Sequence, residues 1–275
     1  NGLSHFLEHM FFKGAKKYPD AKSVALSIDS IGGEFNAFTG KEYVGYYVTT
    51  PKEKFLCGFD VLSDMLLNSK FDQSEIEKER GVILEEINMY EDLPMQRVHE
   101  VFEEQIFGDT PLGWNIAGPK EVVKNLQRED FINYKNKQYT PNNLIVAVAG
   151  PVVHEETVKE VEKYFKFSGK NEASKPYTFK KFTTTPVLKI YQKETEQAHL
   201  ILGVPTFGSE DIKRRYALKL LGVVLGGNMS SRMFTEIREK EGLCYYIHTY
   251  YQGYTGAGYL ATSAGVDLKR VNQAI

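Results

Sequence analysis

The stretch His5-Phe6-Leu7-Glu8-His9-Met10-Phe11-Phe12-Lys13-Gly14 decides how the rest of the chain is read. Residues 2–12 are expected as a helix entered through Ser4. On a helix, positions i and i+4 share a face, so the imidazoles of His5 and His9 can reach one metal ion. Glu8 sits at the edge of that face. A catalytic zinc site takes three protein ligands and keeps a fourth position for water, and a carboxylate beside that water can act as general base. An ordinary amphipathic helix can also carry two histidines at this spacing. What argues for a metal here is the run straight into MFFKG and a distant acidic helix that offers a third ligand.

That second helix is expected over 74–90, opened by Ser74 with Glu77 at capping-box spacing. Within it, EKERGVILEEI (77–87) has Val82, Ile83 and Ile87 as its expected inward side. Glu79 and Glu86 are seven residues apart, two turns, and share that side, whereas Glu85 points about 100° away toward solvent. A carboxylate on a buried face needs a counter-charge, and a metal cation would supply one. Both glutamates could equally be partly exposed charges on an ordinary helix.

Outward from these two helices the chain alternates helix and strand. A helix over 21–31 stops at Gly32-Gly33, and residues 34–50, rich in aromatic and β-branched side chains and broken at Gly40-Lys41, are expected as a hairpin. Helices follow at 53–68, 95–107, 120–138 and 154–165, with a buried strand at 144–150. The Lys-, Ser-, Thr- and Pro-rich run from about 166 to 186 marks a domain boundary. Beyond it come strands at 187–193 and 198–204, helices at 210–226 and 229–241, strands at 243–252 and 256–265, and an opening helix in VDLKRVNQAI. The expected fold class is α+β, with two similar domains, each an antiparallel or mixed sheet packed against helices. The expected division is 1–170, a linker at 171–186, and 187–275. A helix–glycine–aromatic-hairpin order occurs in both halves, a hint of internal duplication.

Composition agrees with two ordinary domains. At ~150 residues per domain, 275 residues suggest about two. Forty-two per cent hydrophobic and 25% charged residues exclude bulk disorder. Thirty-four basic against 36 acidic residues, a formal charge of −2, provide no excess to neutralise a phosphate backbone, so nucleic acid is a poor partner. No apolar run approaches the ~20 residues of a membrane span. Cys57 and Cys244 make no disulfide framework and are expected as buried free thiols, in keeping with a reducing compartment. The chain starts at Asn1 and ends inside a helix, and reads as a piece of a longer protein.

HxxEH inverts the commoner HExxH order and is the inverzincin motif. HFLEHMFFKG, GGEFNAFTGKEYVGYYV (32–48) and EKERGVILEEI, in that order, resemble the pitrilysin/insulinase family of zinc metallopeptidases. The nearest resemblance is to the short-chain branch typified by the mitochondrial processing peptidase beta subunit and its bacterial relatives. LGGNMSSRMFTEIREKEGLCYYI (225–247) is similar to the second domain of the same family.

The resemblance implies that His5, His9 and Glu86 hold one Zn2+ per site, with Glu86 rather than Glu85 as third ligand because it follows Arg80 by six residues. Glu8 is implied as the base that activates water, and Glu79 as an acid supporting the site, as carboxylates behind ligating imidazoles do. It implies peptide substrate added as a strand at Phe35, Asn36 and Ala37, where pairing through the backbone is largely blind to sequence. The bland reading of 34–39 is a core strand, although the polar Asn36 wants a partner. Arg238 and Tyr245 are implied substrate contacts that can donate to a peptide carbonyl or a developing oxyanion. The family is a clamshell of two halves, so the expectation is a homodimer in which a second subunit supplies Arg238 and Tyr245 to the zinc of the first. The implied activity is a zinc metalloendopeptidase acting on oligopeptides or unfolded, presequence-like segments inside a chamber. The alternative is a non-catalytic relative serving as a structural or partner subunit. The implied setting is a bacterial cytoplasm, with the mitochondrial matrix as alternative.

Overall fold

The structure is a computed structural model that describes residues 1–167, 177–179, 182 and 185–275. The chain forms two compact units, Asn1–Ile87 with Asn115–Pro176, and Asn88–Trp114 with Tyr177–Ile275. The expected division was sequential, whereas these units are discontinuous. Most of the expected linker at 171–186 lies outside the described residues.

The first unit is built around α1 (Leu3–Phe11), which follows Gly2 at φ +84° rather than a Ser4 cap. Phe6, Leu7, Met10 and Phe11 of α1 are buried, so this short helix is held by packing. Phe6 meets the edge of Phe131 at 4.8 Å, and Phe11 lies between Tyr46 and Tyr139 at 5.3 and 5.1 Å. Next comes α2 (Ala21–Asp29), entered through Asp20, whose side chain accepts the Ser23 N–H in a reciprocal capping box. The antiparallel hairpin of β1 (Glu34–Thr39) and β2 (Val44–Thr49) pairs Glu34 with Thr49 and Thr39 with Val44.

Helix α3 (Phe55–Asn68) packs on β2 and is followed by α4 (Gln73–Asp92). The Asp72 carbonyl, not Ser74, closes the first turn of α4, accepting from the amides of Glu75 and Ile76. Its buried stripe is Ile76, Glu79, Arg80, Ile83 and Ile87. Val82, expected on that side, is 51% exposed, because it lies about 120° round the helix from the middle of the buried stripe.

One helix was expected over 120–138, but two are present, α5 being Pro94–Phe107 in the second unit, then α6 (Lys120–Asn125) and α7 (Arg128–Gln138). The break is at extended Leu126, after which Gln127 and Asp130 form a capping box. The carbonyls of Val123 and Leu126, on either side of this break, accept from the Arg80 guanidinium. Helix α8 (His154–Tyr164) packs on α3. The expected strand at 144–150 is not formed: Ile145 is 94% exposed and no ladder partner exists among the described residues. Apolar composition does not make a strand without a neighbour to bond to.

In the second unit β3 (Gln197–Thr206), β4 (Cys244–Tyr254) and β5 (Ala257–Asp267) form an antiparallel sheet in the order β3-β5-β4. Helix α5 packs on this sheet because Phe102, Ile106 and Phe107 join Ile201 of β3 with Tyr254, Tyr259 and Ala261 of β4 and β5 in one apolar cluster, which places 88–114 in this unit. Glu103 fastens it further, accepting from Tyr254 at 2.7 Å and Tyr259 at 3.0 Å. Helix α9 (Ile212–Gly226) lies on β4, and Gly226 approaches Thr249 so closely that a Cβ there would lie 2.8 Å from the Thr249 nitrogen.

The expected helix over 229–241 is present as a π-helix, Phe234–Lys240, ending at Gly242 with φ +57°. The expected strand at 187–193 is absent, and Leu188 is 83% exposed. That segment is held by side chains instead: Gln105 donates to the Val187 carbonyl, Lys189 pairs with Glu104, and Arg97 lies over Tyr191 at 5.1 Å. The chain closes with α10 (Val271–Ala274). Both units carry the expected helix–glycine–hairpin order, through Gly32-Gly33 and through Gly242. Both cysteines are free thiols, Cys244 buried and Cys57 half-buried. No helix among the described residues is long and apolar enough to cross a membrane.

Candidate metal centre

Helices α1 and α4 of the first unit bring the candidate residues together. His5 and His9 stand one turn apart, ring centroids 4.7 Å from each other and steeply inclined at 68°. Glu86 Oε2 lies 3.7 Å from His5 Nε2 and 3.6 Å from His9 Nε2. The three donor atoms of His5, His9 and Glu86 fall within 4.8 Å of one another, a spacing that could hold a metal ion. Two ligands each ~2.1 Å from a tetrahedral zinc would stand roughly 3.4 Å apart, close to both histidine–glutamate separations.

The surroundings suit a cation. Burial, then the neighbouring His9, pushes the His5 pKa down to about 4, so its imidazole is neutral at pH 7 and keeps a lone pair. The His5 Nδ1 atom is buried without a hydrogen-bond partner. His9 Nδ1 lies 2.9 Å from Glu79 Oε1, which sets Nδ1 as the protonated nitrogen and leaves Nε2 to face Glu86. Burial alone would raise the Glu79 carboxyl; the His9 hydrogen bond and the Lys13 ammonium 2.5 Å away together hold it below its usual value. A donor set of two imidazoles and a carboxylate fits zinc among the biological metals.

Glu8 is half-buried, and the Thr39 hydroxyl at the end of β1 donates to its Oε2. Burial raises the Glu8 pKa above the ordinary carboxylate value, against the lowering effect of that hydrogen bond. Thr39 and Lys13 were not among the residues singled out from the sequence. For Lys13 the signal was its i+4 spacing from His9. Thr39 carries no sequence signal that ties it to the cluster.

Of the expected substrate-strand residues, Phe35 packs on Phe12 at 5.5 Å, Ala37 is half-buried and Asn36 is exposed. The partner that Asn36 finds is local, its Oδ1 accepting the Ala37 N–H at 2.8 Å. Strand β1 pairs only with β2 among the described residues. Arg238 and Tyr245 belong to the second unit and meet through the backbone, Arg238 Nε donating to the Tyr245 carbonyl at 2.9 Å. The same guanidinium lies 4.6 Å over the Phe234 ring and pairs with Glu239, and the Tyr245 side chain points outward, 77% exposed.

The fold and the cluster define an α+β chain whose candidate metal centre is carried by an inverted HxxEH helix and a distal glutamate. A profile of the Insulinase (Peptidase family M16) family matches residues 1–120, and one of the Peptidase M16 inactive domain matches residues 125–275. The chain is 40% identical over 279 residues to the uncharacterized zinc protease YmxG of Bacillus subtilis, covering 99% of this chain and 66% of that protein. It is 38% identical to an uncharacterized zinc protease of Streptomyces coelicolor, covering 61% of it. A crystal structure of a protease from Helicobacter pylori superposes with a TM-score of 0.88 at 20% identity over 97% of this chain and 65% of that one. Pitrilysin superposes with a TM-score of 0.75 at 23% identity over 99% of this chain and 30% of its own. These two likenesses concern the fold. The chain belongs to peptidase family M16. It spans somewhat under two thirds of the length of the two curated relatives described.

Proposed function

We propose that the protein is a zinc-dependent metalloendopeptidase that hydrolyses oligopeptides or unfolded, presequence-like segments. The observation that carries this is the convergence of His5, His9 and Glu86 donor atoms within 4.8 Å beside the half-buried Glu8. All of these residues fall in the part matched by the Insulinase profile, outside the stretch matched by the inactive-domain profile. In this reading His5, His9 and Glu86 hold the ion, and Glu79 fixes the tautomer and direction of His9.

When bound, zinc supplies Lewis acidity and lowers the pKa of water from ~15.7 toward ~7. Glu8 does the proton work. Thr39 holds Oε2, and the other oxygen takes a proton from the attacking water and passes it to the departing amide nitrogen. A raised pKa suits both halves of that task. Substrate adds as a strand along β1 at Phe35, Asn36 and Ala37, displacing Asn36 Oδ1 from the Ala37 amide so that this amide pairs with the peptide. Arg238 and Tyr245 contribute donors from the second subunit of a homodimer enclosing a chamber. The cited relatives are bacterial, which supports the bacterial cytoplasm over the mitochondrial matrix.

The test is zinc content of the full-length protein by elemental analysis, paired with cleavage of a quenched fluorescent peptide by wild type and Glu8→Gln. The expected result is stoichiometric zinc in both and chelator-sensitive cleavage in the wild type, reduced by ~10²–10⁴-fold in the variant. Zinc without cleavage across a broad peptide panel would favour the non-catalytic alternative. No zinc in the full-length protein would remove the reading at its root.

A further inference from the structure

The reaction as proposed gives no part to Lys13. This residue lies four positions after His9, just beyond α1, where its N–H still closes a turn onto the Met10 carbonyl at 3.2 Å. Its ammonium stands 2.5 Å from Glu79 Oε2, while Glu79 Oε1 lies 2.9 Å from His9 Nδ1. The two oxygens of one carboxylate are thus divided between two neighbours, and the group cannot turn about its terminal bond without breaking a contact. The Glu79 side chain is only 7% exposed, so water offers little to replace either partner. A buried carboxylate left with an imidazole alone would be under-compensated, and it would be free to meet His9 through either oxygen and at a range of angles.

We propose that Lys13 is a positioning residue of the metal centre: by holding Glu79 Oε2 it fixes the Glu79 Oε1–His9 Nδ1 hydrogen bond, and with it the direction in which His9 presents Nε2. The proposal rests on the reading of His9 as a zinc ligand. The chain of contacts is short and each link is directional. His9 turns about the bond from its Cβ to the ring, and a swing of that ring carries Nε2 away from Glu86. Glu79 resists the swing from the far side of the imidazole, and it can do so only while its own carboxylate is held. The local sequence makes this economical, since one turn of helix and its exit supply both the imidazole and the cation that steadies the imidazole's partner.

Zinc release tests the idea without relying on turnover. Full-length, zinc-loaded wild type, Lys13→Met, Lys13→Arg, Glu79→Gln and the Lys13→Met/Glu79→Gln double variant are mixed with excess chelating dye, and the release rate is followed by absorbance. Melting curves of the metal-free proteins accompany the rates. Removing a carboxylate that supports a ligating histidine costs ~10–100-fold in affinity, so Lys13→Met, acting through it, is expected to release zinc about tenfold faster. Lys13→Arg keeps the charge and the donor and is expected to stay within about threefold of wild type. Once Glu79→Gln is present, Lys13→Met is expected to add nothing, because its effect has lost its carrier.

Release from Lys13→Met at the wild-type rate overturns the proposal, as does an effect that multiplies with that of Glu79→Gln. Faster release accompanied by a collapsed metal-free melting curve, and not rescued by Lys13→Arg, overturns it in favour of a role in folding alone. A wild type that holds no zinc defeats the metal-centre reading itself. A wild type with stable zinc and an indifferent Lys13→Met defeats only the part given to Lys13.

Discussion

His5 is the residue on which the ionisation of the cluster turns. Its folded pKa of about 4 lies below the ordinary 6.5, because a buried imidazole beside a second imidazole resists a charge. As pH falls below 6.5 the unfolded chain takes up the proton and the folded chain does not, so stability of the metal-free protein declines until pH nears 4. Between pH 7 and pH 5 the loss attributable to His5 is about 2 kcal/mol. Urea denaturation of the metal-free protein at the two pH values measures it, and His5→Asn is expected to shrink the difference by that amount. An equal pH dependence in wild type and His5→Asn would show that burial does not hold this imidazole neutral.

At the scale of elements, the cluster depends on how α1 and α4 are held. Arg80 of α4 is buried, and its guanidinium supplies the donors for the Val123 and Leu126 carbonyls where the chain breaks between α6 and α7. Arg80→Met leaves both carbonyls unserved and is expected to cost about 3 kcal/mol in urea denaturation. A loss under about 0.5 kcal/mol would mean that water replaces the guanidinium. The start of α1 is set by contact of Gly2 with Gly118, both at positive φ, and a Cβ on Gly118 would lie 2.7 Å from the Gly2 Cα. Gly118→Ala is therefore expected to destabilise the first unit by about 2 kcal/mol through backbone strain and a displaced α1 start. Wild-type stability in this variant would show that the loop gives way at no cost. Since His5 lies three residues from Gly2, a zinc measurement on the same variant reports whether the displacement reaches the cluster.

At the scale of the whole molecule, the proposed homodimer makes a prediction that no single chain can satisfy. Glu8→Gln removes the base from one subunit and Arg238→Ala removes the donor from the other. If the two act across subunits, unfolding and refolding the two inactive variants together yields dimers in which one site is intact. Random pairing then restores about a quarter of the wild-type peptidase rate, since half the dimers carry one working site of two. Activity that stays at the level of the two inactive variants after mixing would overturn the division of the site between subunits.

Much of this protein was legible in its residues, and the reason is that several of its features are local. HxxEH puts two imidazoles on one helical face whatever surrounds them, and the seven-residue spacing of Glu79 and Glu86 does the same for two carboxylates, so α1, α4 and the members of the cluster follow from helical geometry and the family resemblance. The hairpin at 34–50 and the strands after Gly242 declared themselves through aromatic and β-branched runs between turn residues. What depended on a partner elsewhere was not legible. The apolar segments at 144–150 and 187–193 read as strands and are not, because a strand exists only where another offers its ladder. Helix 120–138 breaks at Leu126, beside carbonyls that accept from Arg80, some forty residues earlier. Residues 88–114 group with the second half because their phenylalanines pack against Tyr254 and Tyr259. The sequence by itself determined which side chains could form the centre; only the tertiary structure decided that α1 meets α4 at 3.6–3.7 Å, and that Lys13 and Thr39 stand behind Glu79 and Glu8. Spacing within a helix is fixed by the backbone, whereas contact between helices is fixed by whatever the packed core allows.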